Sequence, residues 1–419
     1  MRFIHGWRRT ALGFLMLILS GGCQNVFACG IRVNGSLGTQ GYGYNDELNT
    51  KHVWYLQTLQ FSVQPEDIPL SFHFSGYHLG DSQDNFSQSE EFLFKKGYFQ
   101  YGGMGTSTSI RLGRFFLARD VAIGVVDGLE VSQKLHRSVK VTLFGGMMAP
   151  LSRKFEFEDP QQATSYGAQL QYILPKHLIF KQSRLTTSYV EQRRREKIFR
   201  RRFGLQTIHR FNRFLSWNNT LQLRLQHEIF KKYVSQLRFS SQHFYGMLEG
   251  GLSTPDYVDE SWYARFDQRY TRLRGIVNGW IIPNKWGAGF EAAALYVETS
   301  EGLRMGPVLI TPIGELGYRV DYGDRARSDG PWANLHYTPR QGLQIYASGA
   351  MVSYEWDELD IKTDDLMMML AGFRYEPSCW RKLELFSEFQ MYQTPQFQQD
   401  RRAMAGANWR IEIKNTRNE

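Results

Sequence analysis

Ser165-Tyr166-Gly167-Ala168-Gln169-Leu170-Gln171-Tyr172-Ile173-Leu174-Pro175-Lys176-His177-Leu178 is the stretch whose reading decides the fold class. Tyr166, Ala168, Leu170, Tyr172 and Leu174 alternate with Ser165, Gly167, Gln169 and Gln171, and a period of two places successive side chains on opposite faces of a strand. Pro175 then presets turn dihedrals and withholds a ladder donor, so the strand stops there. The same alternation recurs: Trp217, Asn219, Leu221, Leu223 and Leu225 against Asn218, Thr220, Gln222, Arg224 and Gln226, and Trp409, Ile411 and Ile413 against Asn408, Arg410 and Glu412. Leu343, Ile345 and Ala347 repeat it, as do Leu383 and Leu385 around Glu384. One face suits lipid and the other suits water.

A soluble sandwich also alternates, so the connections discriminate. Tight turns recur at Gln64 to Leu70, Leu174 to Leu178, Thr338 to Leu343 and Glu376 to Trp380, each with a proline and a polar pair or trio; Leu135 to Ser138 and Arg210 to Arg213 read as the same element without proline. Between them lie polar or acidic connections: Gly80 to Glu90, Met148 to Thr164, Ser253 to Glu260, Gly323 to Gly330, Trp356 to Asp365 and Thr394 to Arg401. Short turns on one side and longer loops on the other are the mark of an up-and-down transmembrane barrel. With the N-terminus periplasmic, the chain closes on an even number of antiparallel strands, about 22, with 16 to 20 also compatible because Leu237 to Gly250 and Gly302 to Asp321 are blurred.

The N-terminus agrees with export. Met1 to Thr10 is basic, Ala11 to Leu19 is apolar, and Val26-Phe27-Ala28 supplies small residues for cleavage between Ala28 and Cys29. The expected organisation is a signal peptide over 1–28 and one outer-membrane barrel domain over 29–419. Cys23 and Cys29 follow small residues, which leaves lipidation open, although Ser20 and Phe27 fit a lipidation motif poorly. No stretch after residue 29 matches the roughly 20 apolar residues of a membrane-spanning helix, and the mean hydropathy is −0.43. A barrel escapes that test because its strands are apolar only on alternate positions. Aromatics at 15% and 39 glycines suit girdles and turns. Cys29 and Cys379 are too few for a disulfide scaffold.

A net charge of +9 is compatible with nucleic acid, yet export separates the chain from it and the basic residues recur at strand spacing. No enzyme signature stands out. Gly80-Asp81-Ser82 is similar to an esterase nucleophile block, but it falls in a loop with no assignable histidine partner and reads as a turn. The ten histidines show no metal-ligand spacing, so no metal and no cofactor are expected. Arginine does stand out on the water-facing phase: Arg200, Arg202, Arg224, Arg238, Arg265, Arg269 and Arg274. These seven form either a basic wall over about six strands that guides anions, or charged lining that pairs with Glu384, Glu388 and Asp267. Arg193-Arg194-Arg195 with Glu196-Lys197 lies at a loop, where lipopolysaccharide phosphates are the natural partner.

Gly406-Ala407-Asn408-Trp409-Arg410-Ile411 resembles the last-strand signal that barrel-assembly machinery reads, with Gly406, Trp409 and Ile411 at its key positions; the chain departs from that pattern by continuing to Glu419. Ile110-Arg111-Leu112-Gly113-Arg114, followed by Val126-Asp127-Gly128-Leu129-Glu130 and Val141-Thr142-Leu143-Phe144-Gly145-Gly146, resembles porin-like and alginate-export-like barrels, in which an Arg-Leu-Gly-Arg strand precedes an Asp-Gly strand. Phe115 stands where those barrels often carry glutamine. The resemblance implies a channel for small solutes or an exported polysaccharide; with the arginine wall, small or anionic solutes or polysaccharide are the expected cargo, and with no catalytic signature no enzyme is expected. The alternative is a structural sheath around a partner, such as a multihaem cytochrome, since the chain has no Cys-x-x-Cys-His site of its own.

Overall fold

Alternating sequence becomes ladder. The computed structural model describes residues 30–415 apart from 46–50, 82–90, 104–105, 120, 150–162, 177–178, 196, 226–228, 255–268, 284, 298–299, 325, 357–360, 381 and 394–399. The strands are β1 (Ile31–Asn45), β2 (Lys51–Pro65), β3 (Leu70–Asp81), β4 (Glu91–Tyr101), β5 (Thr108–Ala118), β6 (Ile123–His136), β7 (Val139–Met148), β8 (Ala163–Leu174), β9 (Gln182–Arg194), β10 (Lys197–Arg210) and β11 (Leu215–Arg224). They continue as β12 (Ile229–Ser240), β13 (Phe244–Ser253), β14 (Tyr270–Ile282), β15 (Trp286–Val297), β16 (Ser300–Thr311), β17 (Gly314–Gly323), β18 (Ala326–Arg340), β19 (Leu343–Trp356), β20 (Ile361–Tyr375), β21 (Leu383–Gln393) and β22 (Asp400–Asn415). Each pairs antiparallel with its sequence neighbours in one 22-stranded sheet. β22 returns to β1 along its whole length, from Ile31↔Asn415 to Tyr44↔Arg402, which closes the barrel and leaves no edge.

The two ends differ as the sequence implies. At one end, here the turn end, Arg137-Ser138 joins β6 to β7, Pro312-Ile313 joins β16 to β17, and Gln341-Gly342 joins β18 to β19. Gly342 has φ +83, and a Cβ there would lie 2.3 Å from the Glu376 carbonyl oxygen, so glycine is required. The connections spanning 82–90, 150–162 and 255–268 all belong to the other end, the loop end. The blurred segments resolve into the β12–β13 and β16–β17 hairpins. Two expected loops are shorter than read: β18 already begins at Ala326 and β20 at Ile361, so most of 323–330 and half of 356–365 are strand. Their polar residues misled because ladder pairing continues through them, with Asp329 accepting the Tyr318 hydroxyl.

Register fixes the faces. Tyr166, Ala168, Leu170 and Tyr172 share a face with Glu191, Tyr189, Thr187 and Leu185 of β9, and through β10 with Leu221, Leu223 and Trp217 of β11. This outward phase is broadly apolar and open, with Leu112 58% exposed and Ile123 71% exposed. Near the turn end it carries aromatic rings: Phe239 lies 6.2 Å from Phe214 and 5.6 Å from Phe244, with Trp217 5.7 Å from His209. Apolar band and aromatic girdle are what lipid contact selects.

Candidate functional site

The inward phase is a wet wall. On β11 it reads Ser216, Asn218, Thr220, Gln222 and Arg224, facing Arg238, Gln236, Val234 and Lys232 across β12. Six of the seven arginines singled out from sequence are described, and the register sorts them. Arg202 lies directly opposite Arg224, and Arg200 precedes Arg202 by one inward step, with its Nη1 3.4 Å from Gln192 Oε1. These three sit toward the loop end. Arg238 faces inward too, but near the turn end of β12, opposite Ser216 and Met247. Arg274 faces inward and gives its Nε to Glu291 at 2.7 Å. Arg269 precedes β14, is exposed, and falls one residue out of step with the inward Arg272 and Arg274; Arg265 lies outside the described residues.

Sequence reading missed other inward arginines. Arg272 lies 3.8 Å from Glu249, and Arg304 gives Nε to Asp321 at 2.6 Å. Counting back by twos from Asn278 would have found Arg272 together with Arg274. The carboxylates that meet them come from adjacent strands, and only the register reveals those partners.

The wall from β5 to β9 is built differently. Phe115 and Leu117 of β5, Val126 of β6, Phe144 of β7 and Val190 of β9 all point inward and pack as one cluster, with Phe115 and Val190 fully buried. Val121 and Ala122 of the β5–β6 connection complete it, so at least this part of the connection folds onto the lumen wall. Backbone bonds between Arg119 and Ala122, 2.9 and 3.3 Å, close the turn. The Arg119 guanidinium then gives bonds to Gln169 Oε1 at 2.8 Å and Glu130 Oε2 at 2.6 Å. Arg111 approaches the other oxygen of the buried Glu130 at 3.1 Å. A carboxylate held by two guanidiniums is a rigid anchor, because breaking it strands a buried charge.

The Arg-Leu-Gly-Arg and Asp-Gly segments meet in this wall. Arg114 opposes Asp127 and forks onto it with bonds of 2.6 and 2.7 Å, while Gly113 opposes Gly128. The pair shares the outward phase of Leu112 and Leu129, yet both side chains are buried, with the Phe94 ring 4.9 Å from the Arg114 guanidinium. The motif therefore puts a sealed ion pair on the lipid side rather than a charge in the lumen.

The remaining sequence expectations fall as follows. Gly406 of β22 faces inward opposite Gln40, and a Cβ there would lie 2.5 Å from Phe386; Trp409 and Ile411 face outward opposite Leu37 and Gly35, at the closing seam. Ala28, Cys29 and Ser82 lie outside the described residues, while Gly80 and Asp81 end β3. Among the described residues, no group of three or more His, Cys, Asp or Glu could hold a metal ion.

A closed barrel with an apolar outer band is one of only two architectures that can span a bilayer. A variant of the ferric enterobactin receptor of Pseudomonas aeruginosa superposes with TM-score 0.57 at 8% identity, covering 90% of this chain and 80% of that one. The chain has the fold of such outer-membrane proteins, a closed antiparallel β-barrel. The translocation pore of the P pilus usher gives TM-score 0.52 at 7% identity over 91% of this chain and 100% of that one. A BenF-like porin from Pseudomonas fluorescens gives 0.44 at 7% identity over 91% and 99%. No family model and no curated protein matches the sequence.

Proposed function

We propose that the barrel is a passive outer-membrane channel with a basic loop-end mouth that favours small anionic solutes. The observation that carries this reading is the inward phase of β8 to β12, where Gln169, Gln171, Ser216, Asn218, Thr220 and Gln222 present amides and hydroxyls to the lumen. Such groups need water or a polar solute beside them. Arg200, Arg202 and Arg224 stand above this wall on the same inward phase and give the loop end a positive field. No catalytic residue is assigned and no cofactor is required.

The width of a 22-stranded ring supports a second reading, a sheath filled by a partner protein such as a multihaem cytochrome. The seam strand β22, with Gly406, Trp409 and Ile411, is the proposed handle for the assembly machinery. Reversal potential across a planar bilayer under a potassium chloride gradient tests the channel. Anion preference that disappears in Arg200→Gln, Arg202→Gln, Arg224→Gln supports it. Selectivity unchanged in that variant refutes the basic mouth, and a silent membrane points to the sheath.

A further inference from the structure

The outward phase changes character at the loop end of β8 to β10. Climbing β9 from the turn end it reads Leu185, Thr187 and Tyr189, all compatible with the lipid side, and then Glu191 and Arg193. Glu191 lies opposite Tyr166 of β8 and Arg201 of β10. Its carboxylate, although on the outer surface, is only 3% exposed. It accepts the Tyr189 hydroxyl, Arg193 Nε and Arg201 Nε, each at 2.8 Å, together with the Tyr166 hydroxyl. Four donors occupy the four acceptor positions a carboxylate offers.

Glu191 is thus a pedestal for two guanidiniums. Both arginines reach it through Nε, and the Arg193 guanidinium also lies 5.7 Å from the centroid of the Tyr166 ring. Their side chains remain 47% and 36% exposed. Two cations against one anion leave a net positive site. Directly below, Ala168 and Leu170 continue the outward phase of β8, and Phe203 and Leu205 that of β10. Beyond Tyr189, by contrast, the outward phase of β9 carries only the charged Glu191 and Arg193. The site thus caps the apolar outward phase of these three strands on the loop side.

We propose that Arg193 and Arg201 bind the phosphate of a phosphorylated glycolipid in the outer leaflet. A phosphate offers several acceptor oxygens to two preset forks, and a lipid rather than free phosphate fits because the ligand must also cover Leu170 and Leu205 beneath. The site is independent of what passes through the lumen.

The test is native mass spectrometry of the folded barrel with added diphosphoryl lipid A, dephosphorylated lipid A or inorganic phosphate. The comparison protein is Glu191→Gln, Arg193→Gln, Arg201→Gln, which removes both cations without stranding the carboxylate; Arg193→Gln alone serves if the triple variant does not fold. The proposal expects diphosphoryl lipid A to bind at least tenfold more weakly to the triple variant, severalfold more weakly to the single one, and dephosphorylated lipid to discriminate neither. Equal binding to wild type and variants, or no preference for the phosphorylated lipid, overturns it. Displacement of the lipid by equimolar inorganic phosphate reassigns the site to the free ion and overturns it equally.

Discussion

The wall from β5 to β9 and the wall from β14 to β17 solve the same problem in opposite ways. In the first, inward Phe115, Leu117, Val126, Phe144 and Val190 make a dry cluster, and Arg114–Asp127 and Arg119–Glu130 are buried pairs. In the second, the inward phase is Gly289, Glu291 and Ala293 on β15 and Gly302, Arg304 and Gly306 on β16, and the Arg304–Asp321 pair stays half in water. A barrel is held chiefly by its closed ladder and needs no core, so the dry cluster marks a place where something else, the Arg119–Ala122 turn, is fastened to the wall. The wet pairs of β14 to β17 keep a charged surface solvated.

That contrast can be broken most directly at Asp127. Asp127→Ala strands Arg114 on the lipid side and is expected to lower unfolding stability by about 3–5 kcal/mol, read from the urea midpoint of the folded, gel-shifted band. Phe115→Ala empties the centre of the dry cluster, and a loss of about 3 kcal/mol is expected by the same assay. Arg119→Ala removes two charge-assisted bonds, worth about 1–3 kcal/mol, and frees the turn, so single-channel traces should gain current fluctuations absent from wild type. At the other wall, Asp321→Ala is expected to cost under about 1 kcal/mol because Arg304 remains in water. Equal losses for Asp127→Ala and Asp321→Ala would erase the distinction between the walls.

Legibility followed the same division. β8 and β11 could be read residue by residue because one face meets lipid and the other water, and that difference is written at period two. The even strand number, with 22 as its leading value, followed from alternating turns and loops. β16 and β17 blurred because Gly302, Gly306 and Gly317 leave gaps in the polar inward phase and Pro307 interrupts the apolar outward one. Asp329 and Arg327 looked like loop, yet Asp329 continues an outward strand face because the Tyr318 hydroxyl satisfies it. Arginines could be placed on a face, but whether a carboxylate meets them depends on the neighbouring strand's register, as Arg274 with Glu291 shows. The inward fold of Val121 and Ala122 left no local sign, since its partners Phe144 and Val190 lie far along the chain.

The central claim is that the polar phase lines an open, water-filled lumen. Thr220→Cys and Leu221→Cys, each in a background with Cys29 and Cys379 replaced by serine, place a thiol on opposite phases of one strand in mid-barrel. During single-channel recording, a bulky, charged, membrane-impermeant thiol reagent is predicted to lower the Thr220→Cys current in a discrete step and to leave Leu221→Cys unchanged. A step in Leu221→Cys without one in Thr220→Cys would contradict the assignment of faces, and no current in either would contradict the open lumen.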